Sequence, residues 1–258
     1  MYQNIFLDIK KMKMHIWDDQ KGHLEVPFRK YAYVKHSNGQ HVSLYGDRLK
    51  KVTTFDKDDP TLHESDVPPT TRFLVDNYGD SDEMSVGHRI MFFDIEVEVT
   101  DGFPDVQKAQ NVITSIALYD CITEKYFTYC FDPEKRIKSY TKDDEVVEFY
   151  DTEYEMLNKF FQKYLEIRPT IVSGWNSEFF DIPYLYNRAV RVLGPEVANL
   201  LSPISQVLYS EYKKKHTIAG VSSLDYLQLY RQFTFGQKSS YRLDYIGEVE
   251  VGMKKVDY

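Results

Sequence analysis

Asp94 and Glu96 stand two residues apart inside the apolar run Phe92-Phe93-Asp94-Ile95-Glu96-Val97. Alternate residues of a β-strand share a face, so the two carboxylates form a pair on one side while Met91, Phe93, Ile95 and Val97 fill the other. Oxygen donors fixed in this way suit a hard divalent cation such as Mg²⁺. The same alternation, continued by Glu98, also describes an amphipathic strand with a solvated acidic face. Taken by itself, the segment leaves both readings open. A third acid, Asp181, follows the turn-forming Gly174-Trp175-Asn176 at the start of a predicted helix. The helix dipole favours a carboxylate there, and a strand-to-helix corner also lets it meet a pair on a neighbouring strand.

Periodicity and turn chemistry outline the elements that must position these acids. A strand over 89–99 leads through the loop Asp101-Gly102-Phe103-Pro104 to strands near 112–119 and 126–131, and a polar loop follows to about residue 150. Thr152 with Glu155 forms a capping box. Leu157, Phe160, Phe161, Tyr164 and Leu165 recur at helical spacing, which predicts a helix over 153–167. Pro169–Gly174 reads as a buried strand, and 180–193 as a second helix ended by Gly194. A meander followed by alternating helix and strand predicts an α/β domain with a mixed sheet. Residues 1 to about 55 read as β-rich, with Asn38-Gly39 predicting a hairpin between Tyr31–Val34 and Val42–Tyr45. Phe55–Asp82, with Pro68-Pro69 inside it, reads as an extended connector in which Phe73-Leu74-Val75 docks. A boundary near 84–89 gives two expected domains, 1–88 and 89–258.

Hydrophobic residues make up 42% of the 258 and aromatics 15%, enough for a sizeable core and against wholesale disorder. The 21 Tyr and 16 Phe suit half-buried strand packing or stacking on bases. A net charge of −8 argues against duplex binding by bulk electrostatics, though not against an enzyme that reaches nucleic acid through bound metal. Cys121 and Cys130 flank a turn and read as free thiols; no zinc spacing is present. No signal-peptide core and no run of roughly 18 apolar residues appears, so a soluble cytoplasmic protein without a membrane partner is expected.

Asp94-Ile95-Glu96 followed by Gly102-Phe103-Pro104 resembles the first exonuclease motif of family B DNA polymerases. Gly174-Trp175-Asn176 with Phe180-Asp181 resembles the second. Ser202-Pro203, Ser223-Leu224-Asp225-Tyr226 and Ser240-Tyr241-Arg242-Leu243-Asp244-Tyr245 are similar to the replicative polymerases of T-even-type phages. The resemblance covers residues 90–258 well and 1–88 more loosely. It implies an RNase H-like 3′→5′ proofreading exonuclease domain, a mixed sheet flanked by helices, behind a small β-rich N-terminal domain. It implies two divalent cations, Mg or Mn, roughly 3.5–4 Å apart, one activating water and the other steadying the leaving 3′ oxygen. Asp94 would bridge both ions, Glu96 would bind the water-activating one, and Asp181 would anchor the second. The implied substrate is the single-stranded 3′ end of primer–template DNA, with Asn176 touching the terminal nucleotide. Phe103 would pack against the splayed strand, a role to set beside simple turn packing. Residues 205–219 fall where the family has a hairpin that separates primer from template, and Lys213-Lys214-Lys215 either touches phosphate or forms a solvated turn.

The family's third motif, a Tyr followed four residues later by Asp, has no match after residue 200. Tyr241 and Asp244 are one residue too close, Asp225 belongs to a strand-like segment, and Asp257 has no Tyr four before it. The expectation is a chain that stops short of the third motif and is weak or inactive as a nuclease alone. Its fourth carboxylate would lie on the remainder of the polymerase, in the same or a separate chain, acting in the host cytoplasm if phage-encoded. The other reading is a non-catalytic docking or nucleic-acid-binding module that completes a split polymerase. Divalent metal binding near Asp94 separates the two.

Overall fold

The computed structural model describes residues 1–100 and 102–254; Asp101 and Asp257 lie outside the described residues. Backbone contacts divide the chain into two compact units, Met1–Gly87 and His88–Tyr258. Among the described residues no helix is long and apolar enough to cross a membrane.

In the first unit, β1 (Tyr2–Asp8), β2 (Lys13–Asp18) and β3 (Gly22–Pro27) form an antiparallel meander. A second sheet contains β4 (Ala32–Lys35), β5 (His41–Val42), β6 (Arg48–Val52) and β7 (Leu62–His63) in the order β5-β6-β4-β7. The expected hairpin at Asn38-Gly39 does not form, because β4 and β5 both pair with β6 and not with each other. Neither Asn38 nor Gly39 has the positive φ that a tight two-residue hairpin demands. Gly39 instead answers to crowding: a Cβ there would lie 2.4 Å from the carbonyl of Leu49. The expected extended connector is interrupted by α1 (Pro69–Tyr78). Pro69 occupies the first helical position, where a missing N–H costs nothing and the fixed φ suits the helix. Phe73 and Tyr78 of α1 pack on the core of Met14, Ile16 and Phe28.

The second unit is built on a seven-stranded mixed sheet. Its strands are β8 (Ile90–Val97), β9 (Ile113–Asp120), β10 (Lys125–Phe131), β11 (Tyr140–Lys142), β12 (Glu145–Tyr150), β13 (Ile171–Gly174) and β16 (Ser222–Asp225). They lie in the order β11-β12-β10-β9-β8-β13-β16, with β8, β9 and β10 antiparallel and β8, β13 and β16 parallel. The segment expected as a polar loop up to residue 150 contains β11 and β12. There β12 runs parallel to β10 near the sheet edge, where its two glutamates are tolerated, and Asp143 makes the tight turn with φ 52°.

Helix α2 (Glu153–Ile167) begins with the expected cap, the Glu155 N–H donating to Thr152 Oγ1 at 3.2 Å. Met91, Phe93 and Ile95 of β8 are buried against Met156 and Phe160 of α2 and against Ile182 and Leu185 of α3 (Asp181–Val192). Leu165, counted in the buried face, is exposed, and Ile167 takes its place as the apolar stripe drifts around the helix. Beyond α3 come the short α4 (Pro195–Ala198), the hairpin β14 (Val207–Ser210) and β15 (Lys215–Ile218), then α5 (Tyr226–Phe233) and α6 (Leu243–Val251). Cys121 and Cys130 are free.

One buried ion pair joins several of these parts. Arg188 of α3 donates to Glu153 of α2 through Nε (2.8 Å) and Nη2 (2.6 Å), and Nη1 donates to the carbonyls of Ala109 (3.2 Å) and Gln110 (2.6 Å). Glu153 Oε1 also accepts the Ile113 N–H that opens β9, at 2.8 Å. Removing one partner leaves the other charge buried, which costs about 3–5 kcal/mol. Arg188→Met is therefore expected to lower stability in urea unfolding by that amount. A loss under about 1 kcal/mol would mean that the pair behaves as a surface one.

Candidate active site

The site forms where β13 ends. Ile171, Val172 and Ser173 pair with Ile90, Met91 and Phe92, and β13 stops at Gly174 while β8 continues to Val97. A Cβ on Gly174 would sit 2.6 Å from the Phe93 carbonyl oxygen, so only glycine passes there. The chain then turns through Asn176 at φ 63°, in the left-handed region that Asn enters more readily than most residues. The Asn176 carbonyl accepts the N–H groups of Phe179 and Phe180, both at 3.2 Å. The Trp175 indole N–H donates to the Tyr241 carbonyl at 3.1 Å, with its ring against Tyr226 and Tyr230 of α5.

This corner delivers Asp181 to the edge of β8 that β13 has left open. Asp181 Oδ1 accepts the Ile95 N–H at 3.1 Å, closing the backbone bond that a longer β13 would have made. The carboxyl is only 3% exposed. Burial, and then the charge of Asp94, push it up to about 7, with the Ile95 N–H opposing the shift. Asp94 and Glu96 occupy the exposed face of β8, opposite the core.

Asp94, Glu96, Phe103, Asn176 and Asp181, the five residues singled out from the sequence, all line one cavity of about 510 Å³. Phe103 both packs and stays open: its ring meets that of Phe180 at 5.3 Å between centroids, yet the residue is 83% exposed. Asp244 also lines the cavity, in the first turn of α6. Its spacing from Tyr241 set it aside in the sequence, and only the fold brings it to this wall.

Among the described residues no three His, Cys, Asp or Glu side chains are gathered closely enough to hold a cation by themselves. The donor chemistry nonetheless fits Mg²⁺ or Mn²⁺. The available groups are carboxylates, the Asp94 charge already raises the proton affinity of Asp181, and a cation would relieve that crowding. Magnesium is held by one or two carboxylates with water and phosphate oxygens more often than by an all-protein cage.

Other residues that position the site carried no sequence signal. Three residues of α3 clamp the loop that follows Phe103. Tyr184 OH donates to the Asn111 carbonyl (2.9 Å), Asn187 Nδ2 to that of Val106 (2.9 Å), and Arg188 to those of Ala109 and Gln110. The helical spacing of 181, 184 and 188 hints at a shared face, but not at carbonyl partners over 70 residues away in sequence. Of the three lysines on the hairpin, Lys214 pairs with Glu211, and Lys215 Nζ reaches both carboxylate oxygens of Glu178 at 3.1 and 3.0 Å. Lys215 thus ties β15 to the corner and does not extend a free basic turn.

A mixed sheet of this order, flanked by helices and carrying a carboxylate pair on an inner strand, has an RNase H-like architecture. Residues 79–246 match the model for the exonuclease domain of DNA polymerase family B, and the chain belongs to that family. It is 33% identical over 199 residues to a DNA-directed DNA polymerase of Escherichia phage RB69, covering 66% of this chain and 22% of that protein. With a DNA-directed DNA polymerase of Enterobacteria phage T4 it shares 32% over 191 residues, 63% of this chain and 21% of the relative. It is 28% identical over 221 residues to DNA polymerase 1 of Saccharolobus solfataricus, 76% of this chain and 23% of that one. The chain spans about a fifth of the length of these curated relatives.

The raised Asp181 has a consequence for stability. The folded protein keeps a proton up to about pH 7 that the unfolded chain releases near 3.8. This group therefore costs nothing below pH 3.8, and its penalty grows as pH rises to about 7, reaching ~4 kcal/mol. With metal chelated, Asp181→Asn is expected to raise the thermal midpoint by at least ~5 °C at pH 8 and to leave it nearly unchanged at pH 4. A gain of equal size at both pH values would contradict a buried, charge-penalised carboxyl.

Proposed function

We propose that this cavity is the hydrolytic site of a 3′→5′ exonuclease, the proofreading portion of a replicative DNA-directed DNA polymerase, acting on single-stranded 3′ ends of primer–template DNA. The observation that carries the reading is the meeting of Asp94, Glu96 and buried Asp181 in one cavity with Asn176 and Phe103 on its walls. Two divalent cations bound through these acids together with water and phosphate oxygens would supply an activated water and neutralise charge at the scissile phosphate. The acids themselves repel a phosphodiester, as does a chain of net charge −8, so substrate entry depends on their neutralisation. Asp181 keeps its orientation before any ligand arrives, because the Ile95 N–H holds Oδ1. Phe103, backed by Phe180, offers a face on which an unpaired base can stack. The Asn176 amide supplies a hydrogen-bonding group for the terminal nucleotide.

The family's third motif would add a fourth carboxylate that no segment after residue 200 matches. Loss of one group that acts in the transition state costs about a hundredfold or more, so this chain is expected to cut slowly by itself. Full rate would require the remainder of a polymerase, in the same or a separate chain, working in the cytoplasm of the host cell if phage-encoded.

End-labelled single-stranded DNA with Mn²⁺ tests the reading. Mononucleotides should leave one at a time from the 3′ end, slowly with the chain alone and about a hundredfold faster once a polypeptide carrying the third motif is added. Asp94→Ala should abolish both rates. Internal cleavage, or release that survives Asp94→Ala, would overturn the assignment. An absence of Mn²⁺ binding near Asp94 would favour a docking module.

A further inference from the structure

Asp225 ends β16 and caps α5, and its side chain is buried, 3% exposed. Oδ1 accepts the Leu227 N–H at 2.9 Å, which is all that helix capping requires. Two further bonds go elsewhere. Oδ1 also accepts the Asn176 N–H at 3.1 Å, and Oδ2 accepts the Glu178 N–H at 3.1 Å. These donors belong to the corner between β13 and α3, where Gly174 is the last ladder-paired residue and regular structure resumes only at Asp181. The backbone there passes through the left-handed conformation of Asn176, which is strained for a residue other than glycine and persists only where surrounding structure fixes it.

We propose that Asp225 is a positioning residue for the exonuclease site. It presets the backbone of 176–178 so that Asn176 and Asp181 reach the cavity wall facing Asp94. The inference rests on the hydrolytic reading of that cavity and adds a residue that touches neither cation nor substrate. A carboxylate suits the task because it accepts at both oxygens and donates at neither. Asparagine has one acceptor oxygen, and its amide group would confront the Glu178 N–H. Bonds to an ionised acceptor are also roughly twice as strong as neutral ones. The corner is gripped from the other side as well, since the Glu178 carboxylate holds Lys215 of β15.

The test uses the 258-residue chain with Asp225→Asn and Asp225→Ala, and reads single-residue amide hydrogen exchange together with Mn²⁺ binding by water-proton relaxation. Asp225→Asn should fold, because Asn caps helices as well as Asp. Exchange at the Glu178 amide should accelerate about tenfold or more, and Mn²⁺ affinity should fall about tenfold, with a larger loss in Asp225→Ala. Unchanged protection at Glu178 in folded Asp225→Asn would overturn the proposal. So would a loosened corner with Mn²⁺ affinity equal to wild type, which would make Asp225 a helix cap and brace without effect on the site. If wild-type Mn²⁺ binding proves indifferent to Asp94→Ala, the hydrolytic reading fails, and the exchange measurement still decides whether Asp225 fixes the corner.

Discussion

On its β13 side, β8 has strand partners only at Ile90, Met91 and Phe92, and the backbone beyond them would present open hydrogen-bonding groups among the described residues. A buried N–H without a partner is costly, and the Asp181 carboxylate answers that cost at Ile95. The early end of β13 therefore does two things at once. It leaves a gap beside the Asp94–Glu96 face, and it recruits a carboxylate into that gap by satisfying a main-chain donor. Asp181 is held by structural necessity before any ligand is considered. Its raised proton affinity is the electrostatic residue of that arrangement, with burial and the Asp94 charge acting in the same direction.

Helix α3 then works as a ruler for the rest of the cavity. Its first residue is Asp181, and its next turns carry Tyr184, Asn187 and Arg188, which hold the carbonyls of residues 106–111. The wall bearing Phe103 and the wall bearing Asp181 are thus set from a single rigid element. Arg188 is in turn locked by Glu153 at the start of α2, so the spacing passes into the main core. Loops that carry binding residues are precise when a scaffold fixes them in this way.

The second unit was more legible in the sequence than the first. The capping box at Thr152, the stripe from Leu157 to Tyr164 and the Pro169–Gly174 run each state their element locally, and α2 and β13 lie where those signals put them. Asn38-Gly39 misled because its local signal was strong while a non-local partner, β6, took the pairing. Pro68-Pro69 misled in the opposite sense, since proline breaks a helix in its interior but starts one at its first turn. Strand β11 is short and polar and pairs with β12, which in turn takes its place beside β10, so the order of this edge is set by pairing and not by a local signal.

At the site, residue types and spacing offered Asp94, Glu96 and Asp181 as possible oxygen donors, beside an acidic solvated face and a helix-start acid, and Gly174 and Asn176 as the residues of a tight corner; the resemblance to the exonuclease motifs chose between them. Alternation on a strand and backbone freedom at a turn are local properties, which a sequence states directly. Whether the three acids meet was decided by strand order, because β13 parallel to β8 is what sets the corner against the carboxylate pair. The parts that Asp225, Arg188, Lys215 and Asp244 play were decided only in the folded chain. Each acts on groups distant in sequence, through main-chain hydrogen bonds, a buried or partly buried charge pair, or the wall of a shared cavity, and no local pattern records those partners.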